Sequence, residues 1–148
     1  MNMRIAVFAS GRGSNLLAIH DAVISGKLEG VSLDLAVCDR PDAPVVDLMH
    51  KRNIPDVIFC PKDYSDKNAV ETVIAEKLAE AKIELVVLAG YMRLVGAVLL
   101  EKWEGRIINL HPSLLPAFPG KDAISLAWRA GVKETGVTVH FVNAGMDT

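Results

Sequence analysis

The amino-acid sequence predicts a doubly wound α/β fold in which helices flank a mainly parallel, Rossmann-like sheet. Short apolar runs rich in β-branched residues alternate with longer stretches of helical periodicity, and this alternation is typical of parallel α/β sheets. The run at residues 84–89 is strongly apolar, which favours a central strand buried on both faces. No internal repeat, low-complexity segment or linker interrupts the 148 residues, so a single domain is expected over residues 1–148.

The expected elements follow each other in a regular order. Strands are expected where the apolar runs are short, at residues 4–9, 33–38, 57–60, 84–89, 106–110 and 136–142. Helices are expected where apolar residues recur every three or four positions, at residues 15–27, 44–52, 65–82, 95–103 and 121–130. The helix positions expected to face the core are Leu16, Ile19, Val23 and Ile24 in the first helix, and Val70, Val73, Ile74, Leu78 and Ala81 in the third.

Composition argues against several classes of function. The formal net charge is −2, so no sequence-wide attraction to nucleic acid or to an anionic membrane is expected. No apolar stretch approaches the roughly 20 residues of a membrane-spanning helix. The N-terminus enters a strand without the apolar segment of a signal peptide, which predicts a cytoplasmic location. Cys38 and Cys60 lack the spacing of a metal site and are expected to be small core or strand-end residues.

The most informative segment for function is residues 107–116. It begins as an apolar run expected to form a buried strand, and it places Asn109 and His111 two residues apart. Because side chains along a strand alternate between faces, both should project to the same side. Three prolines follow within eight residues and forbid a regular continuation. An amide and an imidazole at the carboxyl end of a strand lie where open α/β sheets bind ligands.

A carboxylate, Asp147, follows the last predicted strand and completes a candidate catalytic set. Asn109 can donate to an oxygen that gains negative charge, His111 can move a proton near neutral pH, and Asp147 can orient the imidazole or a water. This set suits acyl transfer in which an amine attacks directly, although a loop histidine and a turn-capping amide would explain the first two residues as well. The other histidines are interpreted as a partly buried strand position, His140, and surface helix positions without companions, His20 and His50.

A glycine-rich turn joins the first strand to the first helix at residues 10–15. Its two glycines permit positive φ and close approach of the backbone. Ser14 or Asn15 could cap the helix, whose first N–H groups form an anion site. The turn lacks the third glycine of a dinucleotide fingerprint and the Gly-Lys-Ser/Thr ending of a P-loop, so neither NAD nor ATP is indicated. A tight turn without a ligand explains the same residues equally well.

Taken together, the motifs resemble those of the folate-dependent formyltransferases. They are Asn-Leu-His-Pro-Ser-Leu-Leu-Pro at residues 109–116, Gly-Val-Thr-Val-His at 136–140 followed by Asp147, Ser-Gly-Arg-Gly-Ser-Asn-Leu at 10–16, and Leu-Ala-Gly-Tyr-Met-Arg-Leu at 88–94. The resemblance runs from residue 3 to the last residue. The glycine-rich turn is most similar to that of family members that formylate glycinamide ribonucleotide in purine synthesis. The resemblance implies the formyltransferase fold, small-molecule substrates and 10-formyltetrahydrofolate as co-substrate, with no metal, NAD or ATP.

The resemblance also implies roles for individual residues. Those implied to hold the phosphate of the ribonucleotide are Gly13, Ser14 and Asn15, beside Arg12, which stands where the family commonly has Asn. Those implied to bind the formyl-folate are Lys67, Met92, Arg93, Leu94, Val95 and Asn109. Those implied to catalyse transfer are Asn109, His111 and Asp147.

Family members continue for several tens of residues past the position of Thr148, so the chain is expected to be truncated at its C-terminus. Two alternatives to the transferase stay open at this point. A formyltetrahydrofolate hydrolase would use the same three residues to activate water, although that family usually carries a further domain ahead of the catalytic one. A truncated domain could also bind folate or phosphate without turnover. The sequence leaves the oligomeric state open between monomer and homodimer.

Overall fold

The computed structural model describes residues 3–110 and 139–141, which build a six-stranded sheet flanked by helices. The strands are β1 (Met3–Ala9), β2 (Val31–Cys38), β3 (Asp56–Ile58), β4 (Leu85–Leu88), β5 (Ile107–Leu110) and β6 (Val139–Phe141). The helices are α1 (Ser14–Ile24), α2 (Pro44–Lys51), α3 (Lys67–Glu80) and α4 (Ala97–Lys102), with a 3-10 turn at Pro61–Asp63. β1 to β5 pair in parallel and β6 pairs antiparallel with β5. The predicted α/β fold with a mainly parallel sheet is confirmed.

The central strand β1 shows why the sheet is covered on both faces. Ile5, Val7 and Ala9 pack with side chains of α1 and α2, whereas Ala6 and Phe8 pack with side chains of α3 and α4. All five are buried. Because successive side chains point to opposite faces, a strand with apolar residues at every position requires helices on both sides.

The order of the strands creates a switch point between β1 and β4. Across the sheet the order is β3-β2-β1-β4-β5-β6. From β1 the chain first extends the sheet to one side through β2 and β3, and it then returns to the other side of β1 with β4 and β5. The segments that leave β1 and β4 therefore diverge toward opposite faces. Open α/β sheets bind ligands in the crevice at such a point.

Two local interactions fix α3 and α4 in place. The Asp66 carboxylate accepts a hydrogen bond from the Ala69 N–H at 2.9 Å and so caps the start of α3. Just past the end of α3, Lys82 adopts a left-handed φ of 58°, which turns the chain toward β4. The indole N–H of Trp103, at the end of α4, donates to the Ile83 carbonyl at 2.9 Å. α4 is thus attached to the segment that enters β4.

Most expected elements exist, with ends shifted by a few residues, but some details differ. Ile24 was expected in the core and is 66% exposed, because the inward face of the last turn of α1 is occupied by Ala22 and Val23. The 3-10 turn after β3 was not expected, and the helix expected at residues 121–130 lies outside the described residues. Within the part of the chain that the structure describes, no helix is long and apolar enough to cross a membrane.

Candidate active site

The glycine-rich turn after β1 is shaped by Gly13. Its φ of +82° lies in the left-handed region, and a Cβ at this position would collide with the side chain of Val45 and lie 3.2 Å from Leu48 Cδ2. Both neighbours belong to α2, so only glycine lets α2 pack this closely against the start of α1. At Gly11 a Cβ would meet nothing within 4 Å. Packing therefore requires a glycine at position 13 but not at position 11.

α1 begins directly after the glycine-rich turn. Gly13 occupies the N-cap position, and none of the described side chains caps the helix. The expectation that Ser14 or Asn15 would cap it is wrong, because the helix begins at Ser14 and both residues lie in its first turn. The Val45 N–H, in the first turn of α2, donates to the Gly11 carbonyl at 2.9 Å. Two helix starts meet at this turn, and N–H groups at the start of a helix are favourable positions for an anion.

Residues 90–96, called here the β4–α4 loop, leave β4 beside the glycine-rich turn that leaves β1, at the switch point of the sheet. Tyr91 packs edge-on against Phe8, with ring centroids 5.1 Å apart and planes at 84°. The neighbouring side chains Met92 and Leu94 are 77% and 69% exposed. Large apolar side chains exposed beside a partly buried aromatic ring offer a surface of the kind that a flat apolar ligand requires.

A buried serine and a buried aspartate hold the start of the β4–α4 loop. The Ser10 hydroxyl donates to Asp39 Oδ1 at 2.5 Å and accepts from the Met92 N–H at 2.9 Å. The Ser10 N–H also donates to the Gly90 carbonyl at 3.3 Å. Ser10 and Asp39 are both buried. These bonds attach the loop to the ends of β1 and β2.

A second buried carboxylate holds the other end of the same loop. Glu71 of α3 accepts from the Gly96 N–H at 2.6 Å and from the Leu99 N–H at 3.3 Å, so it caps α4 from a neighbouring helix. A Cβ on Gly96 would lie 3.0 Å from both Glu71 Oε1 and Lys67 Cδ. The aliphatic part of Lys67 therefore lies against the loop, and the structure brings this predicted folate residue next to the predicted segment 92–95.

Two of the predicted folate residues carry a positive charge, and a third packs against the core. Lys67 and Arg93 are partly exposed, and neither forms a salt bridge with another described residue. Val95 packs against the core on the α3 and α4 face of the sheet. Two cations are thus available beside an apolar wall, an arrangement that suits a ligand with an aromatic body and an anionic tail.

Asn109 lies in β5, one strand away from the β4–α4 loop. Its Cα partners are Leu88 in β4 and His140 in β6, and its side chain is partly exposed. Ile107 packs on the face of α3 and α4 and Ile108 on the opposite face. Because side chains alternate along the strand, Asn109 belongs to the same face as Ile107 and the loop.

The two other predicted catalytic residues, His111 and Asp147, lie outside the described residues. The convergence of an amide, an imidazole and a carboxylate therefore stays a prediction. His140 lies in β6 at the register position opposite Asn109, which confirms its assignment to a strand. The predicted phosphate residues, by contrast, lie at the start of α1, and the predicted folate residues lie on the β4–α4 loop, on α3 beside it and, for Asn109, in β5.

Burial changes the acidity of two groups near the crevice. It raises the pKa of Tyr91, and the nearby charge of Asp39 raises it further. Burial also raises the pKa of the Cys38 thiol at the end of β2, where the sequence predicted a strand-end cysteine. Both groups stay neutral near pH 7, so Tyr91 is not a phenolate base and Cys38 is not a thiolate nucleophile.

The expectation that His20 and His50 have no companions is wrong. Arg52 Nη1 lies 3.0 Å from His20 Nδ1 and 2.6 Å from Asp21 Oδ1. His50 Nε2 lies 3.3 Å from Asp56 Oδ2. These partners come from different elements that pack together, and spacing within each helix gives no sign of them.

Sequence reasoning missed the polar residues that support the loop. Ser10, Asp39 and Glu71 are buried, yet Asp39 and Glu71 appear in the sequence as ordinary polar positions, and Ser10 lies in the glycine-rich motif without an assigned role. A signal existed for Glu71, which directly follows Val70 and lies three residues before Ile74 on the inward face of α3. A carboxylate beside the core stripe of a helix needs a buried partner. The partner, the start of α4, is 25 residues away from it in the chain.

Comparison with known proteins identifies the family. The family model described as formyl transferase matches residues 3–148. The chain belongs to the formyl transferase family. The phosphoribosylglycinamide formyltransferase of Bacillus subtilis (strain 168) is 51% identical to it over 145 residues, which are 98% of this chain and 74% of that protein. The glycinamide ribonucleotide transformylase 1 of Geobacillus kaustophilus has a crystal structure that matches with a TM-score of 0.81 and 55% identity, covering 100% of this chain and 78% of that one.

These matches confirm the family resemblance that the motifs indicate. They also confirm the expectation that the chain is an enzyme of the transferase class. A formyltetrahydrofolate deformylase from Pseudomonas putida KT2440 is less similar, at 27% identity and a TM-score of 0.66, covering 75% of this chain and 38% of that one. The hydrolase alternative is therefore the weaker one. Among the described residues, no group of three or more His, Cys, Asp or Glu could hold a metal ion.

Proposed function

We propose that this formyl transferase moves a formyl group from 10-formyltetrahydrofolate to the amine of 5'-phosphoribosylglycinamide, a step of de novo purine (IMP) biosynthesis. The observation that carries the proposal is the position of two dissimilar binding segments on either side of one crevice. One side is the uncapped N-terminus of α1, and the other is the β4–α4 loop with its exposed apolar side chains. A reaction between a phosphorylated amine and a flat heteroaromatic donor needs both surfaces beside a shared space.

The phosphate of the ribonucleotide binds at the start of α1. Gly13, with its left-handed φ, removes any side chain from the approach, and Ser14 and Asn15 lie in the first turn with their N–H groups uncapped by the described side chains. Backbone N–H groups and the positive end of the helix dipole favour a dianion there. Arg12 is exposed beside the turn and adds a positive charge.

The folate binds along the β4–α4 loop. Met92 and Leu94 cover the faces of the pterin, and backbone groups of the segment 92–95 meet its polar edge. The ammonium of Lys67 and the guanidinium of Arg93 face the anionic glutamate end of the molecule. A mostly apolar slot with a few fixed polar groups is the usual form of a site for a ligand of this shape.

The chemical step is a direct attack by the amine nitrogen of the ribonucleotide on the formyl carbon. A C–N bond forms, the carbonyl oxygen gains negative charge, and collapse of the tetrahedral intermediate breaks the bond between the formyl carbon and N10 of the folate. Asn109 donates to the oxyanion, and His111 moves the proton lost by the amine to the departing N10. Asp147 orients the imidazole and favours its protonated form.

The test is a transfer assay with the purified protein. It is incubated with 10-formyltetrahydrofolate in the presence and absence of 5'-phosphoribosylglycinamide, and release of tetrahydrofolate is measured. Release that depends on the ribonucleotide supports the proposal. Release without it would indicate a hydrolase, and folate binding without release would indicate a domain without turnover. Glycinamide without the phosphoribosyl group serves as the control substrate and should react poorly, because the N-terminus of α1 then has no phosphate to bind.

We also propose the simplest organisation compatible with this chemistry. The chain acts as one domain in the cytoplasm, as a monomer or homodimer, with small molecules rather than nucleic acid or membrane as its partners. Light scattering of the purified protein at several concentrations measures the oligomeric state.

A further inference from the structure

Ser10 lies where the two binding segments begin to diverge. It follows β1 and begins the glycine-rich turn, while its hydroxyl oxygen lies 2.9 Å from the Met92 nitrogen in the β4–α4 loop. The same hydroxyl lies 2.5 Å from Asp39 Oδ1, just after β2. Ser10 is 1% exposed and Asp39 is 6% exposed, so water competes little for either bond.

The direction of these bonds follows from the donors and acceptors present. A carboxylate oxygen accepts, so the single hydroxyl proton of Ser10 goes to Asp39. The lone pairs of the hydroxyl oxygen are then left for the Met92 N–H. Donation to a charged acceptor shortens and strengthens a hydrogen bond, and it polarises the hydroxyl so that its oxygen becomes a better acceptor. Asp39 therefore supports the bond to Met92 through the Ser10 hydroxyl.

We infer that Ser10 is a positioning residue for the folate site. Its hydroxyl fixes the main chain at Met92, and this presents the exposed side chains of Met92 and Leu94 to the pterin, while Ser10 itself touches no substrate. Glu71 fixes the far end of the loop at Gly96. Without the Ser10 hydroxyl, the bond to Glu71 remains but the Met92 N–H loses its side-chain acceptor. The inference rests on the proposed function, because it takes the β4–α4 loop as the folate surface.

The test is the variant Ser10→Ala in the transfer assay. We expect KM for 10-formyltetrahydrofolate to rise about five- to tenfold, the effect of losing one buried hydrogen bond that holds the binding conformation. KM for the ribonucleotide should stay within about twofold and kcat within about threefold. Binding of folic acid, which carries no formyl group to transfer, should weaken by the same factor. A variant that merely unfolds more easily would lower the active fraction and leave both KM values unchanged.

Two further variants separate the hydroxyl from general packing. Ser32→Ala is the matched control, because the Ser32 hydroxyl also donates to a carboxylate at 2.5 Å, that of Asp34, but near the start of β2 and away from the crevice. It should leave both KM values unchanged. Ser10→Thr restores the hydroxyl and should recover most of the folate affinity.

Hydrogen exchange gives a readout that needs no substrate. In Ser10→Ala the Met92 amide loses its acceptor, so exchange in a peptide covering residues 90–96 should accelerate about tenfold, whereas a peptide covering β3 should not change. Wild-type folate KM in Ser10→Ala, or equal changes of both KM values, would overturn the inference while leaving the proposed function in place. Absence of ribonucleotide-dependent transfer by the wild-type protein would instead remove the proposed function.

Discussion

Replacement of Glu71 by glutamine should destabilise the protein although the two side chains have almost the same shape. The Glu71 carboxylate is 4% exposed and uses one oxygen for the Gly96 N–H at 2.6 Å and the other for the Leu99 N–H at 3.3 Å. A glutamine has a single acceptor oxygen. If that oxygen keeps the shorter bond to Gly96, the amide NH₂ faces the Leu99 N–H, and two donors oppose each other in a buried place.

The expected loss can be worked out from these contacts. The shorter bond changes from charged to neutral, and hydrogen bonds to charged groups contribute about 1.5–3 kcal/mol against about 1 kcal/mol for neutral ones. The longer bond is lost and leaves a poorly satisfied N–H at the start of α4, whose carboxylate partner also favoured the positive end of the helix. Glu71→Gln should therefore lower the free energy of unfolding by about 2 kcal/mol, a large fraction of the stability of a typical domain.

The measurement is urea unfolding followed by tryptophan fluorescence, since buried Trp103 ends the helix that Glu71 caps. A lower midpoint with an unchanged slope reports a loss of stability. Glu80→Gln is the matched control: Glu80 lies on the same helix, exposed and 4.0 Å from Lys77, and its replacement should change stability by less than about 0.5 kcal/mol. An equally small change for Glu71→Gln would show that the carboxylate does not stabilise α4.

Further predictions concern the crevice. Asn109→Ala should lower kcat by about 10²–10³ with normal folding, and Asp147→Asn by at least as much; wild-type turnover in steady-state kinetics would refute their assigned roles. Gly13→Ala should destabilise the protein by at least about 2 kcal/mol, because a left-handed φ costs a side chain about 1–2 kcal/mol and the added Cβ collides with α2. Gly11→Ala, with open space around it, is the control in the same urea experiment. Burial raises the pKa of Tyr91 above its ordinary value of 10.0. The contribution of the neutral Tyr91 to the free energy of unfolding is therefore complete below about pH 10 and is lost as the pH rises further. The urea midpoint of Tyr91→Phe should therefore fall less than that of the wild type between about pH 8 and about pH 11. An equal fall of the two midpoints would contradict this prediction.

The fold was predictable because its main signals are local. The positions 5–9 of β1 are apolar without interruption, and the observed strand is buried on both faces at these positions. Val70, Ile74 and Leu78 recur at helical spacing and are all buried in α3. Periodicity gives the face of an element but fixes its ends poorly, and Ile24 shows the result, because it lies at the last residue of α1 and turns to solvent.

Only those parts of the candidate site that lie in a continuous sequence motif were predictable. The glycine-rich turn and the segment 88–94 were found as continuous strings, and the structure places both at the switch point between β1 and β4. The strings do not show which residues support each other across the fold. Ser10 reaches Asp39 across 29 positions and Met92 across 82 positions, and such pairs become visible only when parallel strands bring their carboxyl ends together.

By itself the sequence determined the alternation of strands and helices, the family to which the chain belongs, and the residue types that its chemistry requires. Tertiary structure alone decided which loops face each other, because strand order depends on where each crossover returns to the sheet. It also decided that Lys67 lies against the β4–α4 loop and that three buried polar side chains hold that loop. Hydrophobic periodicity records whether a residue is inside, but hydrogen-bond partners distant in the chain are chosen only by the packed fold.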